Sequence, residues 1–292
     1  MLDENDFYEE AFSRNRGLLS LKQQERLRHA TVVIPGLGGV GAIYATTFAR
    51  LGVGHFRIAD MDSYEVVNMN RQEAATMETV GMPKVEAVRN RILSINPYAT
   101  VEVFPEGLQE ENSDAFFRGA DIVLDAVDFF CIDVRRRIYR GARKENIFVI
   151  SAGPIGFGSS VLVFDPQGMS FEDYFDIRDG QTEEEMLLRF GLGVTPTLLQ
   201  RRYFKPESVN WKEKKTPSLV TGTLLCANLV STEALKILFR GKVRAVPHSL
   251  HFDPFLRTLK KVYIPFGNRN PMQRLKLFLV KRVLRSQGKL SV

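Results

Sequence analysis

The chain has 292 residues and carries 40 Lys and Arg against 34 Asp and Glu, a formal net charge of +6. Its 44% hydrophobic and 25% charged residues exclude a disordered or fibrous chain, and the length allows one large α/β domain or two small ones. The charge is uneven. Asp253 is the last acidic residue and ten basic residues follow it, so residues 1–253 hold thirty basic against thirty-four acidic side chains and form a mildly acidic body.

Residues 1–30 read as an N-terminal arm, an acidic lead followed by a helix with Ser20 as its N-cap. The lead includes Asp3, Glu4, Asp6, Glu9 and Glu10, the wrong sign for a signal peptide. Thr31–Ile34 is a short apolar run that suits a buried parallel strand, and residues 39–51 a helix whose apolar face includes Val40, Ile43, Tyr44, Phe48 and Leu51. Strands follow at Phe56–Ile58, Val101–Phe104, Asp121–Ala126 and Ile147–Ser151. Helices alternate with them at Pro83–Leu93, Ala115–Arg118 and Arg135–Asn146. This alternation over residues 31–165 predicts an α/β, doubly wound, mostly parallel sheet. The uncharged stretch from Phe148 to Phe164 is broken by Gly153, Pro154, Gly156 and Gly158, and reads as two strands around a turn, not as a membrane span.

Beyond this core the pattern changes. Residues 166–215 are polar and irregular, a crossover segment suited to substrate recognition, with a capped helical start at Thr182-Glu-Glu-Glu185. Residues 216–269 complete the fold with a long apolar helix over 217–240 and late strands at His248–Phe252 and Lys260–Ile264. Residues 270–292 form a basic amphipathic helix starting at Asn270-Pro271. Met272, Leu275, Phe278, Leu279 and Val283 make a stripe expected to dock on the body, with contact to an acidic partner, tRNA or a membrane surface as the other reading.

Gly36-Leu-Gly38-Gly39-Val-Gly41 follows a strand and opens a helix, so its backbone can approach a phosphate at a helix N-terminus. Pro35 cannot donate to a strand ladder and belongs at the very end of its strand. Asp60 closes the next strand, where a carboxylate takes ribose hydroxyls. Alone, these features fit an NAD(P)-dependent oxidoreductase. The run that follows does not: Asp60-Met-Asp62, Asn68-Met-Asn70-Arg71-Gln72 and Gly81-Met-Pro-Lys84 supply cations for a triphosphate, and Asp128, ending Asp125-Ala-Val-Asp128, could hold Mg²⁺.

With Phe12-Ser-Arg14-Asn and Ile95-Asn-Pro97 added, these motifs resemble the ThiF/MoeB/HesA family, the prokaryotic relatives of ubiquitin-activating enzymes. The resemblance implies a Rossmann-like core and ATP-dependent adenylation of a carboxylate with release of pyrophosphate. It implies that Gly36, Gly38, Gly39, Gly41, Asp60 and Asp62 bind the nucleotide, that Asn68, Arg71 and Lys84 contact phosphate, and that Asp128 ligates Mg²⁺. Arg14, with Arg16 as a neighbouring rival, would reach into the partner's site in a homodimer. The acceptor would be the C-terminus of a ubiquitin-like protein or a peptide. A threonylcarbamoyl-adenosine dehydratase acting on tRNA is the runner-up, and a non-catalytic nucleotide-binding member a further alternative.

The sequence departs from the family at several points. Phe129 follows Asp128 where many members have Asn. Neither Cys131 nor Cys226 lies in a Cys-x-x-Cys pair, so no zinc site is expected. Residues 166–215 contain no cysteine, so no covalent cysteine relay is expected there. Cys131 reads as a buried, inert thiol and Cys226 as core. His248 and His251 read as structural. The overall expectation is a cytoplasmic enzyme.

Overall fold

The computed structural model describes residues 2–204, 209–211 and 213–286. The chain enters through α1 (Glu4–Ala11), capped by the Asp3 side chain, and α2 (Leu21–Arg28), where Ser20 and Gln23 form a capping box. The alternating core runs β1 (Thr31–Pro35), α3 (Gly41–Leu51), β2 (His55–Ala59), α4 (Lys84–Ile95), β3 (Thr100–Phe104), α5 (Ser113–Phe117), β4 (Ile122–Asp125), α6 (Ile132–Lys144) and β5 (Val149–Ile155). Then come β6 (Gly158–Phe164), α7 (Phe171–Phe175), α8 (Glu183–Val194), α9 (Val220–Leu238), β7 (His248–Asp253), β8 (Thr258–Tyr263) and α10 (Pro271–Ser286).

The strands form one sheet in the order β3-β2-β1-β4-β5-β6-β7-β8. From β3 to β5 the pairs are parallel, and β5–β6, β6–β7 and β7–β8 are antiparallel. The doubly wound core is as expected, and residues 148–164 are the hairpin read from the sequence. β1 and β4 lie at the centre with almost every residue buried, which requires cover on both faces. One face carries α3, α4 and α9 over Val32 and Ile34, with Phe48, Val88 and Val230 in the contact. The other carries α5 to α8 over Val33, with Phe116, Ile138, Phe171 and Phe190. Alternation along β1 thus feeds two separate cores.

Pro35 is the last residue of β1, as its missing N–H demands, and the Gly36 N–H takes the next bond, to the Ala59 carbonyl at 2.8 Å. Every connection after β1 and β4 leaves from the same sheet edge, and strand order reverses between them. That crevice is where open α/β sheets bind ligands.

The last helix corrects an expectation. α10 lies on α8, but through Leu277 and Leu284, which pack at Leu188 and Leu192, with Gln273 buried on the same face. The stripe expected to dock, Met272, Leu275, Phe278, Leu279 and Val283, is exposed. The helix has two apolar faces, and polar fastenings select between them: Lys276 Nζ donates to the Pro196 carbonyl at 2.6 Å and Lys281 pairs with Glu185. The final six residues of the expected 270–292 helix, Lys289 among them, lie outside the described residues. No helix among the described residues is long and apolar enough to cross a membrane.

Candidate active site

The glycine loop divides into two kinds of glycine. Gly36 has φ +89°, and a Cβ there would stand 2.6 Å from the Ala126 carbonyl oxygen. A Cβ on Gly41 would stand 1.9 Å from the Gly36 carbonyl oxygen. Both are demanded by the turn itself. Gly38 and Gly39 are not: the nearest atoms to their Cβ positions are Gln72 Nε2 at 3.7 Å and Thr223 Cγ2 at 3.4 Å. Their bareness leaves backbone open on the crevice side. Val40, the N-cap of α3, supplies no side-chain acceptor, so the first amides of that helix stay available to an anion.

Asp60 ends up against this loop. Its Oδ2 accepts the Leu37 N–H at 2.6 Å and its Oδ1 accepts the Asp62 N–H at 2.9 Å. Burial raises the Asp60 carboxyl above its usual range, against the opposing pull of Lys84 and the two amides. Lys84 opens α4 with its side chain only 7% exposed, and places Nζ 2.8 Å from Asp62 Oδ2 and 3.8 Å from Asp60 Oδ1. A buried ammonium needs such partners. Tyr64 ties the parts together: its hydroxyl donates to the Leu37 carbonyl at 2.9 Å and its ring lies 5.9 Å from Lys84 Nζ.

The Asn68–Gln72 run meets the loop at Gln72, whose Nε2 lies 3.7 Å from the position of a Gly38 Cβ. Asn68 Oδ1 accepts the Glu65 N–H, and Asn70 Nδ2 donates to the Ser218 carbonyl just before α9. Arg71 is held by its own turn, Nη1 donating to the Val67 carbonyl at 3.1 Å and to Asn70 Oδ1 at 2.8 Å. Gln72 is buried, and its Oε1 has no hydrogen-bond partner. This leaves a buried, unpartnered oxygen on the side chain beside Gly38. Nothing in the motif singles Gln72 out; only its burial does.

Across the crevice, the loop after β4 presents Asp128. Its side chain is exposed, with Oδ1 accepting the Phe130 N–H at 2.9 Å and the other oxygen free to face a ligand. Asp125, the other acid of the motif, is a fastener. Its Oδ2 accepts from Arg135 Nε at 2.8 Å, Ser151 Oγ at 3.0 Å and the Tyr139 hydroxyl at 3.1 Å. Arg135 in turn donates to the Val127 and Asp128 carbonyls, so a buried cation holds the loop that carries Asp128. Phe129 packs on Phe130 and Phe190, and a Cβ on Gly191 would stand 3.4 Å from its ring, so the residue that departs from the family pattern anchors the loop to α8.

Cys131 corrects a second expectation, because it is exposed, not buried. It heads the helix next to Asp128 and so cannot retreat into the core. Partial burial of the sulfur and the Asp128 charge nonetheless push its thiol up, opposite to the shift a nucleophilic cysteine needs. Cys226 is buried as expected, with its thiol pushed up to about 12 by burial. Lys214, in the crossover segment, also reaches this corner: it pairs with Glu183 at 2.7 Å and lies close enough to feel the Asp128 charge. Nothing in its sequence context marks it.

Arg14 does not join the cluster. It follows Phe12, which packs at Gly52 beyond the C-terminal end of α3, whereas the glycine loop is at that helix's N-terminal end. Arg14 is exposed and has no ion-pair partner among the described residues. Arg16 Nη2 donates to the Glu9 carbonyl at 3.4 Å, on the same remote edge. His248 and His251, three apart on β7, fall on opposite faces of the strand, and His251 bonds Ser249 Oγ at 2.9 Å.

Fold and site define a Rossmann-like α/β protein with a glycine loop at a helix N-terminus and a Lys–Asp–Asp cluster at the sheet's switch point. The profile of the ThiF family matches residues 12–273, and the chain belongs to that family. It is 37% identical over 142 residues to a tRNA threonylcarbamoyladenosine dehydratase of Bacillus subtilis, covering 48% of this chain and 55% of that one. It is 40% identical over 107 residues to a sulfur carrier protein adenylyltransferase of Thermus thermophilus, covering 37% of this chain and 40% of that one. The chain thus spans about half the length of the curated relatives it matches. The crystal structure of Escherichia coli MccB with ATP superimposes with a TM-score of 0.64 at 18% identity, covering 91% of this chain and 74% of that one, a likeness of fold.

Proposed function

We propose that the chain is an ATP-dependent adenylyltransferase that activates a carboxylate, the C-terminus of a peptide or of a ubiquitin-like carrier protein. The observation that carries this is the convergence of buried Lys84, Asp60 and orphaned Gln72 on the open glycine loop, with Asp128 across the same crevice. An NAD site has no need for the Asn68-Met-Asn70-Arg71-Gln72 cluster, and a triphosphate has a use for the Arg71 and Lys84 cations. The Thermus thermophilus relative is named for adenylating a sulfur carrier protein, and the MccB structure was solved with ATP.

On this reading Asp60 takes the ribose hydroxyls, and the amides of Gly38, Gly39 and the start of α3 take phosphate oxygens. Asn68, Arg71 and Lys84 contact the phosphates, the two cations neutralising charge there, and Asp62 holds Lys84 in place. A carboxylate oxygen of the substrate forms a bond to the α-phosphorus while the bond from that phosphorus to the bridging oxygen breaks, and pyrophosphate leaves with the electron pair. No protein nucleophile is required; catalysis is positioning and charge stabilisation. Mg²⁺ fits the donor set, because it takes one or two carboxylates and completes its shell with water and phosphate oxygens, and Asp128 has one oxygen free. When bound, the ion neutralises developing phosphate charge. Asp128 holds it, and Arg135 holds Asp128.

The exposed, unactivated Cys131 supports adenylation without a thioester relay. Its free thiol and the use of ATP fit the cytoplasm. Arg14 is assigned to the site of a second copy in a homodimer, since α3, about 17 Å long at 1.5 Å per residue, separates it from its own glycine loop.

Pyrophosphate exchange into ATP tests the reading. Exchange that depends on peptides with a free C-terminal carboxylate is expected, with Asp128→Ala and Arg71→Ala abolishing it in folded protein. Tight NADH binding without exchange overturns it. The Bacillus subtilis relative favours a second reading, the same activation of a carboxylate on a modified tRNA base. Exchange that responds to tRNA and to no peptide would select it.

A further inference from the structure

α10 leaves an apolar face in solvent while docking through another. Met272, Leu275, Leu279 and Val283 recur at helical spacing along it, each about half exposed or more at 58%, 52%, 49% and 49%, with Phe278 beside them at 61%. A run of this length on one helix face is a recognition surface, not the scattered apolar exposure of an ordinary exterior.

Charge selects its occupant. Residues 254–286 contain nine basic residues and no acid. Of these, Arg269 and Lys281 are paired with Asp173 and Glu185, and Lys276 is turned inward to the Pro196 carbonyl. Arg274, Arg282 and Arg285 are exposed and have no ion-pair partner among the described residues; at about 100° per residue Arg282 lies beside the stripe, and Arg274 and Arg285 lie further round the helix. A second copy meeting this face about a two-fold axis would bring these arginines against their own images. A nucleic acid backbone would be met by the arginines but leave the apolar stripe without a partner. An anionic lipid surface satisfies both: acyl chains take the stripe and headgroup phosphates take the guanidinium groups.

We propose that α10 is an interfacial helix that holds the protein on an anionic membrane surface, lying in the plane of the headgroups with its Gln273, Leu277 and Leu284 face on the body. The helix does not cross the bilayer; it rests on it.

Vesicle flotation with the full chain tests this, comparing vesicles of equal parts phosphatidylcholine and phosphatidylglycerol with vesicles of phosphatidylcholine alone. The chain floats with the anionic vesicles, less so as salt rises, and stays behind with the neutral ones. The double variant Leu275→Glu/Leu279→Glu loses flotation, with melting temperature and pyrophosphate exchange unchanged. Arg282→Gln and Arg285→Gln each weaken vesicle binding about fivefold, the loss expected for one cation near an anionic surface. Three results overturn the proposal. The chain fails to float with anionic vesicles. Or the double Glu variant floats like the parent, so that charge alone acts. Or that variant turns a dimer into a monomer in sedimentation, which assigns the stripe to a second copy.

Discussion

Arg135 Nε donates to Asp125 Oδ2 at 2.8 Å, with the Asp125 side chain wholly buried and that of Arg135 5% exposed. The pair joins the end of β4 to α6, and the same guanidinium holds the carbonyls of Val127 and Asp128. Removing one partner of such a pair strands the other charge in the core, which costs about 3–5 kcal/mol. Asp125→Ala is therefore expected to lose stability on that scale in urea unfolding followed by circular dichroism. Exchange activity should fall as well, because the loop presenting Asp128 loses its fastening. A loss below about 1 kcal/mol, the range of exposed pairs, would show that Arg135 finds another partner.

The two kinds of glycine predict two kinds of defect. Gly41→Ala puts a Cβ 1.9 Å from the Gly36 carbonyl oxygen, so backbone must move, and a loss of roughly 3 kcal/mol or more is expected. Gly38→Ala meets only Gln72 Nε2 at 3.7 Å and should fold normally. Its methyl occupies the approach to the loop, so ATP affinity measured by calorimetry should drop at least tenfold. If Gly38→Ala binds ATP like the parent, the phosphates do not rest on this loop.

Much of this was legible because strands, glycine turns and caps are local events. The run Thr31–Ile34 before Pro35-Gly36 specifies β1, and Ser20 and Thr182 cap the helices they were expected to cap. That Asp60, Asp62 and Lys84 serve one site was implied by the family resemblance; in the fold Asp60 directly follows β2 and Lys84 opens α4. What escaped depends on burial and on long-range choice. Periodicity shows that α10 has an apolar face but not which of two faces finds α8. Asp125 and Asp128 look alike in sequence, yet one sits at 0% side-chain exposure as a fastener and the other is open to ligand. Gln72 and Lys214 gain their interest only from what the fold places beside them.

His251 is neutral in the fold. Burial, with the nearby Lys260 charge adding to it, pushes its imidazole down to about 4, against roughly 6.5 in an unfolded chain. Above pH 6.5 or so both states are neutral and the residue contributes no pH dependence. Between the two values the unfolded chain binds a proton that the fold refuses, so stability falls as pH is lowered, by up to about 1.4 kcal/mol per pH unit. The prediction is a loss of roughly 3 kcal/mol on going from neutral pH to pH 4, reduced in His251→Gln, which keeps a partner for Ser249 Oγ. Urea titrations across that range check it. An unchanged slope in the variant would move the cause to other groups.

Arg14 and Lys84 lie at opposite ends of α3, one exposed and unpaired, the other buried against two carboxylates. If the Arg14 guanidinium serves the neighbouring site of a homodimer, each site draws Lys84 from one chain and Arg14 from the other. Arg14→Ala and Lys84→Met homodimers then both lack a complete site, and exchange should fall by at least a hundredfold in each. Mixing the two variants and allowing subunits to exchange forms heterodimers in which one site carries both defects and the other carries none. Activity should return toward about a quarter of the parent at equal mixing, since half the dimers are mixed and each of those has one intact site. Restored exchange would establish Arg14 as a residue acting across the interface. A mixture no more active than its components, with subunit exchange verified by native mass spectrometry, would return Arg14 to the surface of its own chain.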